Sequence, residues 1–285
     1  EAMSLVLTMM VRDEIDIVAC NIAHHLDQGV CEVIVTDNGS VDGTRDLLAS
    51  LARSAPITII DEPPSDWSQG KWVTRMARMA HDRFHAQWVI NGDADEFFVA
   101  PGSNLGDALE STSAGCDLLW VSRNDFVPID RPHREAPPLE MIHRKRESLN
   151  HVSMRRIAPK AIHRGAGDVV VVQGCHDAFA PSFRDKRSTS AILTCHYPIR
   201  SLEQFRSKVK NAGSGYAINR ELPPTVGDRF RHWYALLLQG KLDDEFRHVH
   251  FHGPDLLRER LASGEVLEDT QLATGLRAAQ LAARA

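Results

Sequence analysis

The sequence predicts an α/β protein with a mostly parallel central sheet flanked by helices, followed by a more variable half. Three observations predict it. Short apolar runs alternate with amphipathic stretches of helical period through the first 125 residues. Polar loops rich in Asp, Asn, Gly and Ser follow several of those runs. Beyond residue 125 the alternation loosens and Pro and Arg become common, as in 128-PIDRPHREAPP-138. Strand, helix, strand at this spacing means βαβ units, and those build parallel sheets.

LVLTMMV (5–11) is an unbroken apolar run and reads as a buried strand. Asp13 is placed to cap a helix carrying Ile15, Val18, Ile22 and Leu26 on one face and ending at Gly29. CEVIV (31–35) is the second strand, and TDNGSVDG (36–43) is a loop of turn formers. A helix over 44–52, with Asp42 or Thr44 satisfying its first amides, leads to the strand ITII (57–60). DEPPSDWSQG (61–70) is loop, 72–84 is helical, and QWVIN (87–91) is the fourth strand. The second half shows strands at VVVVQ (169–173) and AILTCHY (191–197), and helices near 201–210 and 229–239. From Pro254 onward the Ala-, Leu-, Arg- and Glu-rich tail reads as helix on the outside, or as a contact between copies in a homo-oligomer.

Composition narrows the classes. The chain has 285 residues, with 43% hydrophobic and 25% charged side chains, ordinary for a globular protein with a sizeable core. A net charge of -5 lacks the basic face of a nucleic-acid binder. The clusters 143-HRKRE-147 and 153-SMRRIAPK-160 read as solvated faces. No apolar run reaches the roughly 18 residues needed to span a bilayer. The first residues carry acids and no basic n-region, unlike a secretory leader, and Met3 reads as an initiator preceded by two extra residues. Five widely spaced cysteines suit buried thiols in a reducing cytoplasm, with the inner membrane face as a peripheral location.

In open parallel sheets, ligands bind beyond the carboxyl ends of the strands. Three polar loops fall there: 11–13, 36–43 and 93–96. In the last, 87-QWVINGDADEFFVA-100, three acids interrupt an apolar stretch that resumes at Phe97 and Phe98, which return the chain to the core. In extended backbone the side chains of Asp93 and Asp95 point the same way. Two such carboxylates at a strand end suit Mg²⁺ or Mn²⁺, which take oxygen ligands and share their remaining positions with phosphates. Asp37 and Asn38 either close a turn or bond the polar edge of a uracil or guanine ring.

The order MMVRDE, VIVTDNGSVDGT, WVINGDADEFF resembles a family 2-type GT-A glycosyltransferase, of the bacterial branch whose acidic motif reads D-x-D-E-F. The resemblance covers about a third of the chain. It implies a nucleotide-sugar-binding half (1–125), an acceptor-binding and catalytic half (126–252) and a helical tail (253–285), in an enzyme passing a sugar from a nucleotide-sugar to a hydroxyl acceptor such as a glycan. It implies Mn²⁺ or Mg²⁺ as cofactor and UDP as the default nucleotide. Thr8, Met10 and Arg12 would lie beside the base, Asp37 would accept from it, Asp93 would face ribose or metal, and Asp95 would bind the metal. Arg75 would turn toward the nucleotide. Gln69 and Lys71, at a helix start, are further phosphate candidates. An inverting reaction needs a carboxylate to take the acceptor proton. The resemblance sets that base some 80–100 residues beyond the metal motif, which selects Asp177, with Asp185 as alternative. It also makes His196 a further metal ligand and Lys208 a phosphate contact.

Other classes stay open on the residues alone. A nucleotidyltransferase would use similar acids, yet MVRDEID lacks its Gly-rich phosphate loop. A non-catalytic binder has no need of paired metal carboxylates. Cys175-His176 and Cys195-His196 lack zinc spacing, and HVHFH (248–252) reads as an exposed histidine-rich strand edge.

Overall fold

The apolar runs of the first hundred residues become strands because only a sheet covered on both faces can bury them without alternation. The computed structural model describes residues 3–63, 69–128, 133–220, 222–223 and 225–282. The expected loop 61–70 and the Pro-rich stretch 128–138 therefore lie partly outside the described residues. Strand β1 is Leu5–Val11, buried along its whole length. Helix α1 (Val18–Asp27), β2 (Glu32–Asp37), α2 (Thr44–Leu51), β3 (Ile57–Asp61), α3 (Gln69–Phe84) and β4 (Trp88–Asp93) follow. After the turn residues Ala94 and Asp95 come β5 (Glu96–Val99), α4 (Leu105–Thr112), β6 (Leu118–Asp125), α5 (Pro137–Glu140) and β7 (His143–Lys145). Then come β8 (Lys160–Arg164), β9 (Val170–Val171), a short 3-10 turn (Gln173–Cys175), β10 (Ala178–Phe179) and β11 (Lys186–His196). Last are α6 (Leu202–Ile218), α7 (Asp228–Leu238), α8 (Leu242–Glu245), a π-helical turn (Phe246–His250), α9 (Pro254–Ser263), β12 (Val266–Glu268) and α10 (Gln271–Ala282).

Eight strands form one sheet in the order β3-β2-β1-β4-β8-β6-β11-β5. The run β3-β2-β1-β4 is parallel, as the βαβ spacing requires. Strand β8 enters antiparallel between β4 and β6. Helix α3 packs on β1, β2 and β4, and its Val73, Met76, Ala77 and Ala80 join Val6, Ile34 and Val89 in a buried cluster. The architecture is thus the α/β sheet with flanking helices that the sequence implied.

The chain divides into two compact units. The first comprises residues 3–63, 69–123 and 158–195, and the second the described residues of 124–157 and 196–282. Where one boundary near residue 125 was expected, the chain passes between the units at 123/124, 157/158 and 195/196. Residues 158–195 return to the first unit because β8 fills the place beside β4. In the second unit α6 packs on α7, with Phe205, Val209, Trp233, Leu242 and Phe246 in its core. The Ser201 hydroxyl caps α6 by accepting from Gln204 N at 3.1 Å. Strands β7 and β12 pair antiparallel.

Three expectations change. Asp13 does not cap α1: it adopts φ 56°, and its carboxylate accepts from Val41 N at 2.7 Å. HVHFH is no strand edge, because the π-helical turn takes in His248 and His250, and His250 and His252 are buried. Nor are the basic clusters uniformly solvated, since Lys160 is 1% exposed. No helix of the described residues is long and apolar enough to cross a membrane.

Candidate functional site

Strand register assembles the site in the first unit. Met10 pairs with Thr36 on one side and Asp93 on the other, and Val11 pairs with Asp37. The carboxyl ends of β1, β2 and β4 therefore share one edge, the edge where open sheets bind ligands. Side chains then tie the first two loops together. Asp13 N donates to Ser40 Oγ (3.0 Å), Glu14 N to Thr44 Oγ1 (3.0 Å) and Ile15 N to Asp42 Oδ2 (3.1 Å). Asp42 also accepts from Thr44 N at 2.9 Å, serving the first amide of α2 as expected. The N-cap of α2 is Gly43 at φ 99°, a left-handed conformation that glycine adopts without a side-chain penalty.

Unpartnered polar atoms mark the edge. Asp37 is buried; its Oδ2 accepts from Gly39 N and Ser40 N at 3.1 Å, while Oδ1 has no partner. Asn38 donates to Pro63 O at 3.1 Å, but its own oxygen is buried and unpartnered, as is Arg12 Nε. Buried polar atoms are nearly always paired. One donor and two acceptors without partners at adjacent strand ends form a surface able to bond the mixed edge of a ring. Met10 is buried beside them. Thr8 is a correction: it is 0% exposed, and its hydroxyl donates to Asn91 Oδ1 at 2.7 Å, so it ties β1 to β4 and cannot touch a base.

The three acids sit on a turn, which corrects the strand argument for Asp93 and Asp95. Asp93 ends β4, Asp95 is in the turn, and Glu96 starts β5. Helix α1 holds this turn through polar side chains on its inner face. Asn21 Nδ2 donates to Ala94 O at 2.9 Å and Glu96 O at 2.8 Å. His24 Nε2 meets Phe98 O at 2.7 Å, and His25 Nε2 accepts from Phe98 N at 3.2 Å. The other ring nitrogen of His25 meets Asn21 Oδ1 at 2.8 Å, which makes Nδ1 the protonated one. Burial pushes His25 down to about 3, with His24 adding to the fall. Phe97 and Phe98 are fully buried, as expected.

Beneath the acids lies a cation absent from the sequence reading. Lys160 Nζ is 2.9 Å from Asp93 Oδ2 and 2.7 Å from Glu96 Oε2. Arg123 Nη1 reaches Glu96 Oε1 at 3.1 Å. Burial works to push the Lys160 ammonium down, but Asp93 and Glu96 outweigh it and push it up, so it stays charged. Burial pushes the Asp93 carboxyl up; Lys160 opposes this, while Glu96 and Asp95 add to the rise. Asp93 and Glu96 thus share Lys160, and Glu96 also meets Arg123.

The remaining candidates are placed as follows. Gln69 is buried; it donates to Asp93 Oδ1 (2.9 Å) and accepts from Gly174 N (3.1 Å), so it positions Asp93. Lys71 is exposed two residues on. Arg75 pairs with Glu62 at 2.5 Å. Asp177 accepts from Val172 N through its carbonyl at 3.0 Å, with Lys186 Nζ at 2.9 Å from its carboxylate. Asp185 is a correction. Its carbonyl accepts from Asp117 N and Leu118 N, at the start of β6. Leu118 pairs with His163 and Trp88 with Arg164, so this is the amino end of β4. Five residues separate that end from Asp93, about 16 Å along a strand. Asp185 also pairs with Arg187. His196 and Lys208 belong to the second unit. There His196 Nδ1 bonds Asp125 Oδ1 at 2.6 Å, both side chains being buried, and Lys208 is half-buried on α6.

No protein-family model matches the chain, and no curated protein matches it. Among solved structures, the chain is similar to S. aureus TarS 1-349 in complex with UDP-GlcNAc, at 11% identity and TM-score 0.42, covering 86% of this chain and 73% of that one. It is also similar to glucosyl-3-phosphoglycerate synthase from Mycobacterium tuberculosis, at 17% identity and TM-score 0.30, covering 42% of this chain and 44% of that one. A third likeness is to a mycobacterial protein, at 19% identity and TM-score 0.30, covering 43% and 42%.

Proposed function

We propose that the protein is a nucleotide-sugar-dependent glycosyltransferase of the family 2-like GT-A type, with its donor site at the carboxyl edge of β1, β2 and β4. The observation that carries this reading is the acid turn Asp93-Ala94-Asp95-Glu96, set in register with the unpartnered polar atoms of Arg12, Asp37 and Asn38. One end of the edge offers ring-bonding atoms and the other offers carboxylates, the division a nucleoside diphosphate needs.

The acid turn fits a divalent cation. Its donors are hard oxygens, and each Asp93 oxygen accepts a single hydrogen bond from Gln69 or Lys160, leaving a lone pair. Asp95 and Asp93 would hold Mn²⁺ or Mg²⁺. Bound there, the cation would neutralise charge growing on the leaving diphosphate. Asp37 would accept from the base, Arg12 would donate to it, and Gln69 would keep Asp93 aimed. UDP is the nucleotide we assign, as the resemblance of the three motifs implies. Asp177 is the assigned base for an inverting transfer to a hydroxyl acceptor.

The test is thermal unfolding with UDP, GDP, CDP or dTDP, each with and without Mn²⁺, for wild type and Asp95→Ala. A ligand at 100 times its Kd adds about 2.7 kcal/mol, which is readily seen. The expected result is stabilisation by one nucleotide, only with metal and only in wild type. Metal-dependent stabilisation of equal size in Asp95→Ala refutes the assignment.

A further inference from the structure

The second unit contains a cavity lined by Lys145, Arg229, His151, His250, Trp233 and Asp125, among others, none of them used in the donor site. Trp233 is its central plate. His151 stacks on that ring at 5.1 Å and 13°, His250 meets it edge-on at 5.1 Å and 84°, and the Arg229 guanidinium lies 5.0 Å from its centroid.

Cationic side chains reach the lining. Lys145 and Arg229 bring two cationic side chains to the wall beside Asp125, whose Oδ1 is bonded to His196, while the Glu245 carboxylate contacts His151 and Trp233. Burial pushes the Lys145 ammonium down, and Arg229 and Arg260 add repulsion that Asp125 opposes. Burial also pushes His151 down to about 4 and His250 to about 2, with Lys145 and Arg229 contributing to both. His250 is 6% exposed, and its Nε2 is buried without a hydrogen-bond partner. A buried polar nitrogen left unpaired beside two cations is costly unless something completes it.

We propose that this cavity binds the phosphoryl group of a phosphorylated ligand. Arg229 supplies a planar fork, Lys145 a point charge and His250 Nε2 an N–H, together suited to a dianion with three acceptor oxygens. The apolar walls, Trp233 above all, take the rest of the ligand. The site lies wholly within the second unit and does not depend on the donor reading.

A metal site is the competing occupant, because His151, Glu245 and His250 present ligand atoms within 4.8 Å of one another. Two observations disfavour it. His151 Nε2 is already 2.9 Å from Glu245 Oε1, with Trp233 Nε1 3.3 Å from that same oxygen. And Lys145 and Arg229 would repel a cation.

The experiment is calorimetric titration of chelator-treated, full-chain protein with inorganic phosphate, sodium acetate and Zn²⁺ in separate runs at matched ionic strength. Saturable phosphate binding is expected, weakened about ten-fold or more by Arg229→Gln and by Lys145→Met, and unchanged by Asp95→Asn. Circular dichroism checks each fold. If Arg229→Gln unfolds through loss of its ring contacts, Lys145→Met decides alone. No saturable phosphate binding by wild type overturns the proposal. So does phosphate affinity undiminished by the cavity variants, acetate binding in place of phosphate, or Zn²⁺ binding that is lost in His250→Ala.

Discussion

Lys160→Met removes the cation beneath the acid turn while keeping most of the side chain's volume. The lysine is 1% exposed and Glu96 0%, so solvent cannot take over its role. Breaking a buried pair by removing one partner costs about 3–5 kcal/mol. Arg123 still holds one Glu96 oxygen, and the Asp93 side chain is 31% exposed, which places the expected loss at the lower end, about 3 kcal/mol at pH 8. Asp93, whose carboxyl burial already pushes up, relieves part of this by binding a proton, so its folded pKa rises further above the unfolded value of about 4. A raised folded pKa gives stability that is complete below the unfolded pKa and is lost as pH climbs through the folded one. The deficit should therefore be smaller at pH 5 than at pH 8. Urea unfolding of wild type and variant at both pH values measures it. A deficit below about 1 kcal/mol at pH 8, or one equal at both pH values, refutes the view that Lys160 is the counter-ion of the turn.

Other outcomes follow from the same packing. The His25 ring is neutral in the fold with its pKa pushed down to about 3, so its contribution is complete above the unfolded pKa of about 6.5 and lost as pH falls toward 3, by up to about 1.4 kcal/mol per unit. In His25→Gln the decline in urea midpoint from pH 7 to pH 5 should be shallower than in wild type. Gly165→Ala would set a Cβ 1.9 Å from Ala86 O, a backbone atom that cannot step aside, and should cost about 1–3 kcal/mol or more by thermal unfolding. Gly102→Ala is a useful companion: no atom crowds that position, so only the strain of φ 77° acts, and the smaller loss expected there separates crowding from backbone strain.

The parallel strands were legible because both faces of β1, β2 and β4 are covered, which forces unbroken apolar runs. The meeting of the loops at 11–13, 36–43 and 93–96 was legible too, since parallel topology leaves them one edge. What escaped the sequence depends on partners distant along the chain. Asp13 looks like a helix cap, but its carboxylate serves Val41, 28 residues away. Lys160 sits in a basic stretch that reads as surface, and only the antiparallel entry of β8 beside β4 buries it against Asp93, 67 residues earlier. Asn21, His24 and His25 break the apolar face of α1 and reveal their role only once β5 is in place. HVHFH alternates like a strand, yet the backbone there winds into a π-helical turn, which alternation of residue types does not encode.

The way α1 is anchored has a consequence for what the edge can accept. The chain entering this helix is laced to the β2–α2 loop through Asp13, Glu14 and Ile15, and the middle of the helix is bolted to the acid turn through Asn21 and His25. The ring-bonding end and the carboxylate end thus hang from one rigid rod. On the proposed donor reading the edge acts as a fixed gauge: a nucleotide bridging it would have to match a set span, because neither end can shift alone.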